Sequence, residues 1–183
     1  MTIEMTDPQA LIDKYYPADS PLRDIYLSHV RNVAAKALDI SHRLGLAISD
    51  DMVRGAALTH DIGVFLTDAP GIHCFGTEPY IRHGILGAEL LRNEDAPEEW
   101  TRVAERHTGT GITAEQIARL NLPLPPGDYM PRTQLERLIC YSDKFFSKTK
   151  PDTEKSLEQV RRSMSKVSEE TLARFDELHK EFG

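Results

Sequence analysis

Apolar residues recur along the chain at three- and four-residue steps, and runs alternating with a period of two are missing. That pattern predicts helices joined by loops, with no substantial sheet. Ser20 before Pro21 marks a helix start, after which Leu22, Tyr26, His29, Val33, Ala37, Ile40 and Leu44 fall on one stripe ending at Gly45. The stripe turns His29 inward. A second helix is expected from Ser49 or Asp50 through Val53, Ala56 and Ala57 to the string His60-Asp61-Ile62-Gly63, where the glycine is read as loosening the chain. Residues 67–79 contain Pro70, Gly71, Gly76 and Pro79 and read as a substantial loop of the kind that covers sites. A third helix follows over residues 80–93.

Pro97 opens a helix carrying Trp100, Val103, Ala104 and His107 at helical spacing, stopped by the turn Gly109-Thr110-Gly111. Thr113 with Gln116 and Thr133 with Glu136 are capping-box pairs that start two more, separated by the proline-rich stretch from Pro123 to Pro131. On the second of these helices Leu135, Ile139, Ser142, Asp143 and Phe146 share roughly one face, so Asp143 points to the core side. Amphipathic helices near residues 152–167 and 169–182 close the chain. The expected fold is all-α: a single-domain helical bundle over residues 1–183, with its core at about 22–146 and C-terminal helices at about 152–182.

Composition narrows the function classes. Hydrophobic residues at 40% and charged residues at 28% exclude a disordered chain, and a net charge of -7 excludes a protein that coats nucleic acid through a broad basic surface. Cys74 and Cys140 show no paired spacing, which suits a reducing compartment. The N-terminus lacks a basic segment followed by an apolar run, and no stretch approaches the roughly 18 apolar residues of a membrane span. A cytoplasmic protein without membrane contact is expected, and a homo-oligomer is left open.

Histidine nitrogen together with aspartate oxygen suits borderline divalent ions such as iron, manganese, nickel or zinc. An adjacent His60-Asp61 pair at a helix end aims two ligand types at one region, and a carboxylate can bridge two metals roughly 3.5 to 4 Å apart. Each group also has a plain structural reading. A lone inward histidine such as His29 is usually a hydrogen-bonded core residue, and His60-Asp61 alone is a common dipeptide at a helix end. Asp143 is harder to explain so, because an ionised carboxylate is costly to bury without a metal or a cation such as the neighbouring Lys144.

The ordered series His29, His60-Asp61 within HDIG, His83, His107 and Asp143 within YSDKFF, each separated by a helix-sized interval, resembles the HD-domain superfamily of metal-dependent phosphohydrolases over residues 22–146. The resemblance implies that His29, His60, Asp61 and Asp143 hold a first divalent transition metal. It also implies that His83, His107 and a bridging Asp61 hold a second, drawn from iron, manganese, nickel, cobalt or zinc. Asp61 is then the central catalytic residue. The implied activity is hydrolysis of a phosphate ester or phosphoanhydride in a nucleotide or related small molecule by a metal-bridging hydroxide. Val64 stands where a lysine follows HDIG in a common subgroup, and the GYP signature of the cyclic dinucleotide phosphodiesterase branch is missing, which argues against cyclic di-GMP. The arrangement looks closer to the small stand-alone two-metal proteins.

Lys144, Arg106 and Lys148, one helical turn beyond Lys144, are the candidate phosphate contacts, with Lys144 or Arg106 expected to orient the phosphate. Of the remaining histidines, His42 falls off its helix stripe, His179 lies in the terminal helix, and His73 alone sits on a loop able to reach the site. Two other readings share the ligand set: an HD-fold di-iron oxygenase, and a non-catalytic module that keeps the fold. The complete ligand set weighs against the module.

Overall fold

The structure, a computed structural model, describes residues 6–183. Helix α1 (Pro8–Tyr15) begins at the Asp7 cap and buries only Leu11 and Ile12. Eight residues are too few for the apolar period to stand out, and the sequence reading left this helix out. Helix α2 (Pro21–Leu44) starts where Ser20 Oγ accepts the Arg23 N–H and stops at Gly45, whose φ of 61° is left-handed. Tyr26, His29, Val33, Ala37 and Ile40 are buried along its inner face. Leu44, expected on that stripe, is 40% exposed because the last turn runs past the core.

Helix α3 (Asp50–Thr59) is capped by Ser49. A 3-10 turn at Tyr80–Arg82 leads into α4 (His83–Asn93), and α5 (Glu98–Arg106) follows after Pro97. Both expected capping boxes form, at the starts of α6 (Ala114–Leu120) and α7 (Gln134–Asp143). The chain ends in α8 (Leu157–Val167) and α9 (Glu169–Phe182).

Helix α2 packs on α3 and α7, while α5 packs on α3, α4 and α7; α9 packs on both α7 and α8. Buried residues from every helix except α6 join one hydrophobic core, with Trp100 of α5 fully enclosed. Gly55 makes room for it, since a Cβ there would lie 1.9 Å from Trp100 Cζ2.

Two short hairpins interrupt the helices. The covering loop contains β1 (Asp68–Ala69) paired antiparallel with β2 (Cys74–Phe75). A second hairpin joins β3 (Phe146–Ser147) to β4 (Lys150–Glu154), where the sequence reading had α7's apolar face running on to Phe146 and the next helix starting at 152. Helix α7 stops at Asp143, and Pro151 favours extended backbone. Helix α2 then holds the strand: Asn32 Nδ2 donates to Pro151 O at 2.7 Å, Ser28 Oγ to Asp152 Oδ1 at 2.9 Å, and Lys36 Nζ to Glu154 Oε1 at 2.6 Å.

Candidate metal centre

Four helix ends and the middle of α2 meet in one place. His60 and Asp61 follow α3, His83 opens α4, His107 follows α5, Asp143 ends α7, and His29 projects from α2. His29, His60, Asp61, His83 and His107 are each at most 4% exposed.

Three of the histidines use the same local device. The Nδ1 atoms of His60, His83 and His107 lie 2.6, 2.6 and 2.7 Å from the carbonyl oxygens of Ala57, Tyr80 and Ala104, three residues earlier in each case. A carbonyl only accepts, so each Nδ1 carries the proton and each Nε2 is turned inward. Helix-end geometry thereby selects the ring nitrogen that faces the centre.

Asp61 divides the cluster. Its Oδ2 stands 3.0 Å from His29 Nε2 and 3.1 Å from His60 Nε2, and its Oδ1 stands 3.1 Å from His107 Nε2 and 3.4 Å from His83 Nε2. Asp143 Oδ1 closes the first half, 2.9 Å from His29 Nε2 and 3.2 Å from His60 Nε2. Donor atoms of His29, His60, Asp61 and Asp143 lie within 4.8 Å of one another, as do those of Asp61, His83 and His107. All six residues singled out for metal binding are brought together, with Asp61 common to both groups.

The donor set fits cations. Asp61 Oδ2 is fully buried with only cation-type or imidazole nitrogens around it, His29 Nε2, His60 Nε2 and Lys148 Nζ, and no backbone N–H meets it. The Nε2 atoms of His83 and His107 sit 3.0 Å apart with both Nδ1 protons already committed, so two lone pairs face each other unless a proton or a metal lies between them. Burial, reinforced by the neighbouring His107, pushes His83 down to about 3, which keeps it neutral and able to ligate. Burial also works against charge on His60, but Asp61 and Asp143 override it and push that ring up to about 10. Asp61 stays far below the usual carboxylate range: burial would raise it, and His60 and Lys148 more than reverse that. Asp143 behaves likewise, with Lys144 and His29 outweighing burial.

The backbone around His60 and Asp61 is pinned from two sides. Tyr16 Oη donates to Ile62 O at 2.8 Å and Tyr26 Oη to Leu58 O at 2.7 Å. Gly63 has an ordinary φ of -82°, so its role is not to loosen the chain as expected from the sequence. A Cβ at this position would meet Gly87 N at 2.4 Å and His83 O at 2.6 Å. The glycine lets α4 lie directly against the HDIG turn, which carries His83 to Asp61.

The cations divide differently from the sequence reading. Lys144 Nζ donates to His107 O at 2.9 Å and Asp143 Oδ2 at 2.6 Å, fastening two ligand segments together. The structure does not bring Arg106 to the cluster: one residue before His107 on a helix points about 100° away, and its guanidinium donates to Glu136 Oε1 at 2.7 Å. Lys148, also among the candidates, does reach the centre, its Nζ 2.8 Å from Asp61 Oδ2 and 3.0 Å from Tyr80 Oη. It comes from the β3–β4 turn, not from a continued α7. Tyr80 was not singled out, since nothing in its spacing marks a residue of a 3-10 turn as facing a site. His73 is exposed with a φ of 61°, His42 pairs with Asp50, and His179 meets Tyr141 Oη.

The HD domain family model matches residues 26–147, a span that holds all six clustered residues. The chain belongs to the HD domain family. Among its relatives is an uncharacterized protein of Methanocaldococcus jannaschii, 32% identical over 75% of this chain and 78% of that protein. Two longer relatives are named tRNA (cytidine(56)-2'-O)-methyltransferase. The one from Thermoplasma volcanium is 30% identical over 95% of this chain and 46% of its own length. The one from Picrophilus torridus is 34% identical over 68% of this chain and 32% of its own. The chain therefore spans less than half the length of either methyltransferase. Among solved structures, the HD domain of the L. monocytogenes phosphodiesterase PgpH shares the fold, with a TM-score of 0.55 and 17% identity over 93% of this chain and 94% of that one. The same domain in complex with cyclic-di-AMP also matches, at a TM-score of 0.55.

Proposed function

We propose that the chain is a metal-dependent phosphohydrolase that cleaves a phosphate ester or phosphoanhydride of a nucleotide or related small molecule. One observation carries the reading: each carboxylate oxygen of Asp61 faces its own pair of inward histidine nitrogens. Such a set fits two divalent transition-metal ions bridged by Asp61, with His29, His60 and Asp143 around one and His83 and His107 around the other. Bound there, the ions would lower the pKa of water and screen the charge of a phosphate. The PgpH domain, a phosphodiesterase that binds cyclic-di-AMP, supports a nucleotide-like substrate for the same fold.

The chain's own residues divide the remaining work. A cleft of 570 Å³ opens over the centre, lined by Asp143, Lys148, Tyr80 and Ile72 among others. Lys148 is the cation free to turn from Asp61 toward an entering phosphate, and Tyr80 Oη supports its ammonium group. Lys144 holds Asp143 and the His107 backbone in register. Ile72, on the covering loop, presents an apolar wall that limits water at the reacting group.

The test is a screen of nucleotides, dinucleoside polyphosphates and sugar phosphates with manganese, cobalt, nickel or anaerobic ferrous iron, following phosphate release. Turnover under anaerobic conditions supports the hydrolase. Metal-loaded protein that releases no phosphate, yet consumes dioxygen with a mixed-valence iron pair, replaces it with the oxygenase reading.

A further inference from the structure

The cleft over the metal centre does not end there. It shares Ser147, Thr149 and Lys155 with a second pocket of 370 Å³, which lies between the β3–β4 hairpin and α8. Lys150, Arg162 and Lys166 complete the basic part of this pocket, while Thr153 and Ser163 add hydroxyls. Among the described residues no carboxylate lines it. Arg162 pairs with Glu158 at 3.1 Å, but Lys150, Lys155 and Lys166 have no ion-pair partner among the described residues. In a chain of net charge -7, this pocket gathers Lys150, Lys155, Arg162 and Lys166 with no acid among them. Hydroxyls beside unpaired ammonium groups are the donors a phosphate takes.

Lys155 stands at the junction of the two spaces. It is half-buried, and burial lowers the pKa of its amine, so its charge costs something to hold there until an anion arrives. Besides Asp143, Lys144 and Lys148, the cleft wall carries the apolar and aromatic side chains of Ile72, Tyr80, Phe146 and Met164. One continuous space thus joins the centre at Asp143, an apolar and aromatic wall, and, through Ser147, Thr149 and Lys155, a basic pocket.

We propose that the second pocket binds a further phosphate of the substrate, making the preferred substrate a nucleoside that carries a second phosphate beyond the one attacked. The sugar and base lie on the apolar stretch, and Lys155, Arg162 and Lys166 hold the distal group. The inference rests on the hydrolase reading for the attacked phosphate alone.

Equilibrium binding to manganese-loaded protein tests it, with adenosine 3′,5′-bisphosphate compared against the 3′- and 5′-monophosphates. The bisphosphate is expected to bind roughly tenfold tighter or more, the scale of one added charge-assisted contact. The exposed-pocket variant Lys155→Gln/Arg162→Gln/Lys166→Gln should bind all three alike while keeping its full manganese content. Equal affinities in the parent protein, or a preference that survives the triple substitution, overturn the distal site. Manganese-dependent release of p-nitrophenolate from bis(p-nitrophenyl) phosphate reads the hydrolase separately. A bisphosphate preference without such release sinks the hydrolase and leaves the pocket standing, and release without the preference does the opposite.

Discussion

The Nε2 atoms of His83 and His107 face each other across 3.0 Å, and each ring's Nδ1 proton is already committed to a carbonyl of its own chain segment. Two acceptors held that close repel unless a cation separates them. The fold stores this contact because α4 and α5 pack against one another, so the helices set the spacing whatever occupies the gap.

Metal should therefore stabilise the protein. At a free manganese concentration about 100 times Kd each bound ion adds about 2.7 kcal/mol, which corresponds to a rise in Tm of about 5 to 10 °C per ion for a chain this size. Scanning calorimetry with and without chelator measures it. His83→Ala should reduce bound manganese from two ions per chain to one and cut turnover by about 100-fold or more. A variant still holding two ions would remove His83 from the ligand set.

In the metal-free protein the histidines impose opposing pH dependences. His60, raised from the ordinary 6.5 to about 10, takes up a proton more readily folded than unfolded. Its contribution is complete below about 6.5 and is lost as pH climbs through about 10. His83, lowered to about 3, refuses a proton that the unfolded chain accepts, so stability drains away as pH falls from about 6.5 toward 3. Urea unfolding of the metal-free protein should show a maximum near pH 6.5. Stability that climbs steadily from pH 6.5 to 9 would contradict the His60 assignment.

Lys148 competes with a metal for Asp61 Oδ2, at 2.8 Å. Lys148→Met should leave manganese affinity unchanged or tighter, yet raise KM for a phosphorylated substrate roughly tenfold. Calorimetric titration and steady-state kinetics separate the two effects. Weaker metal binding in this variant would mean that Lys148 positions Asp61 and does not hold substrate.

Gly63→Ala is expected to cost about 1 to 3 kcal/mol, because its Cβ would strike backbone at Gly87 and His83. Displacing α4 should also weaken the half of the centre that contains His83. Gly87→Ala, whose Cβ comes no nearer than 3.2 Å to Gly63 N, should be milder on both counts. Denaturant unfolding with metal titration ranks the pair, and equal effects would refute the close-packing role of Gly63.

Much of the helical plan was readable in advance because caps are local chemistry. Ser20, Ser49, Thr113 and Thr133 each place their hydroxyl on a backbone N–H within three residues, so a short string of letters suffices to locate the helix start. The helix α1 escaped notice for want of length, and β4 because its anchors, Ser28, Asn32 and Lys36, lie more than a hundred residues away in α2. The six clustered side chains were marked by the resemblance of their ordered series to the HD-domain superfamily, not by any local signal of their own. Of the cations proposed with them, Arg106 went elsewhere to satisfy buried Glu136, and Lys144 serves Asp143 and His107.

From its letters alone the chain determined an all-helical fold and the boundaries of most helices, since helix periodicity and capping depend on neighbours within one or two turns, while the six His and Asp residues that converge were marked by the resemblance of their order to the HD-domain superfamily. Only the tertiary structure decided that the two oxygens of Asp61 face different histidine pairs, that Gly63 is a contact between backbones, and that Lys148 is the cation above the centre. Those outcomes depend on distances between segments far apart in sequence, and such distances are set by how whole helices pack.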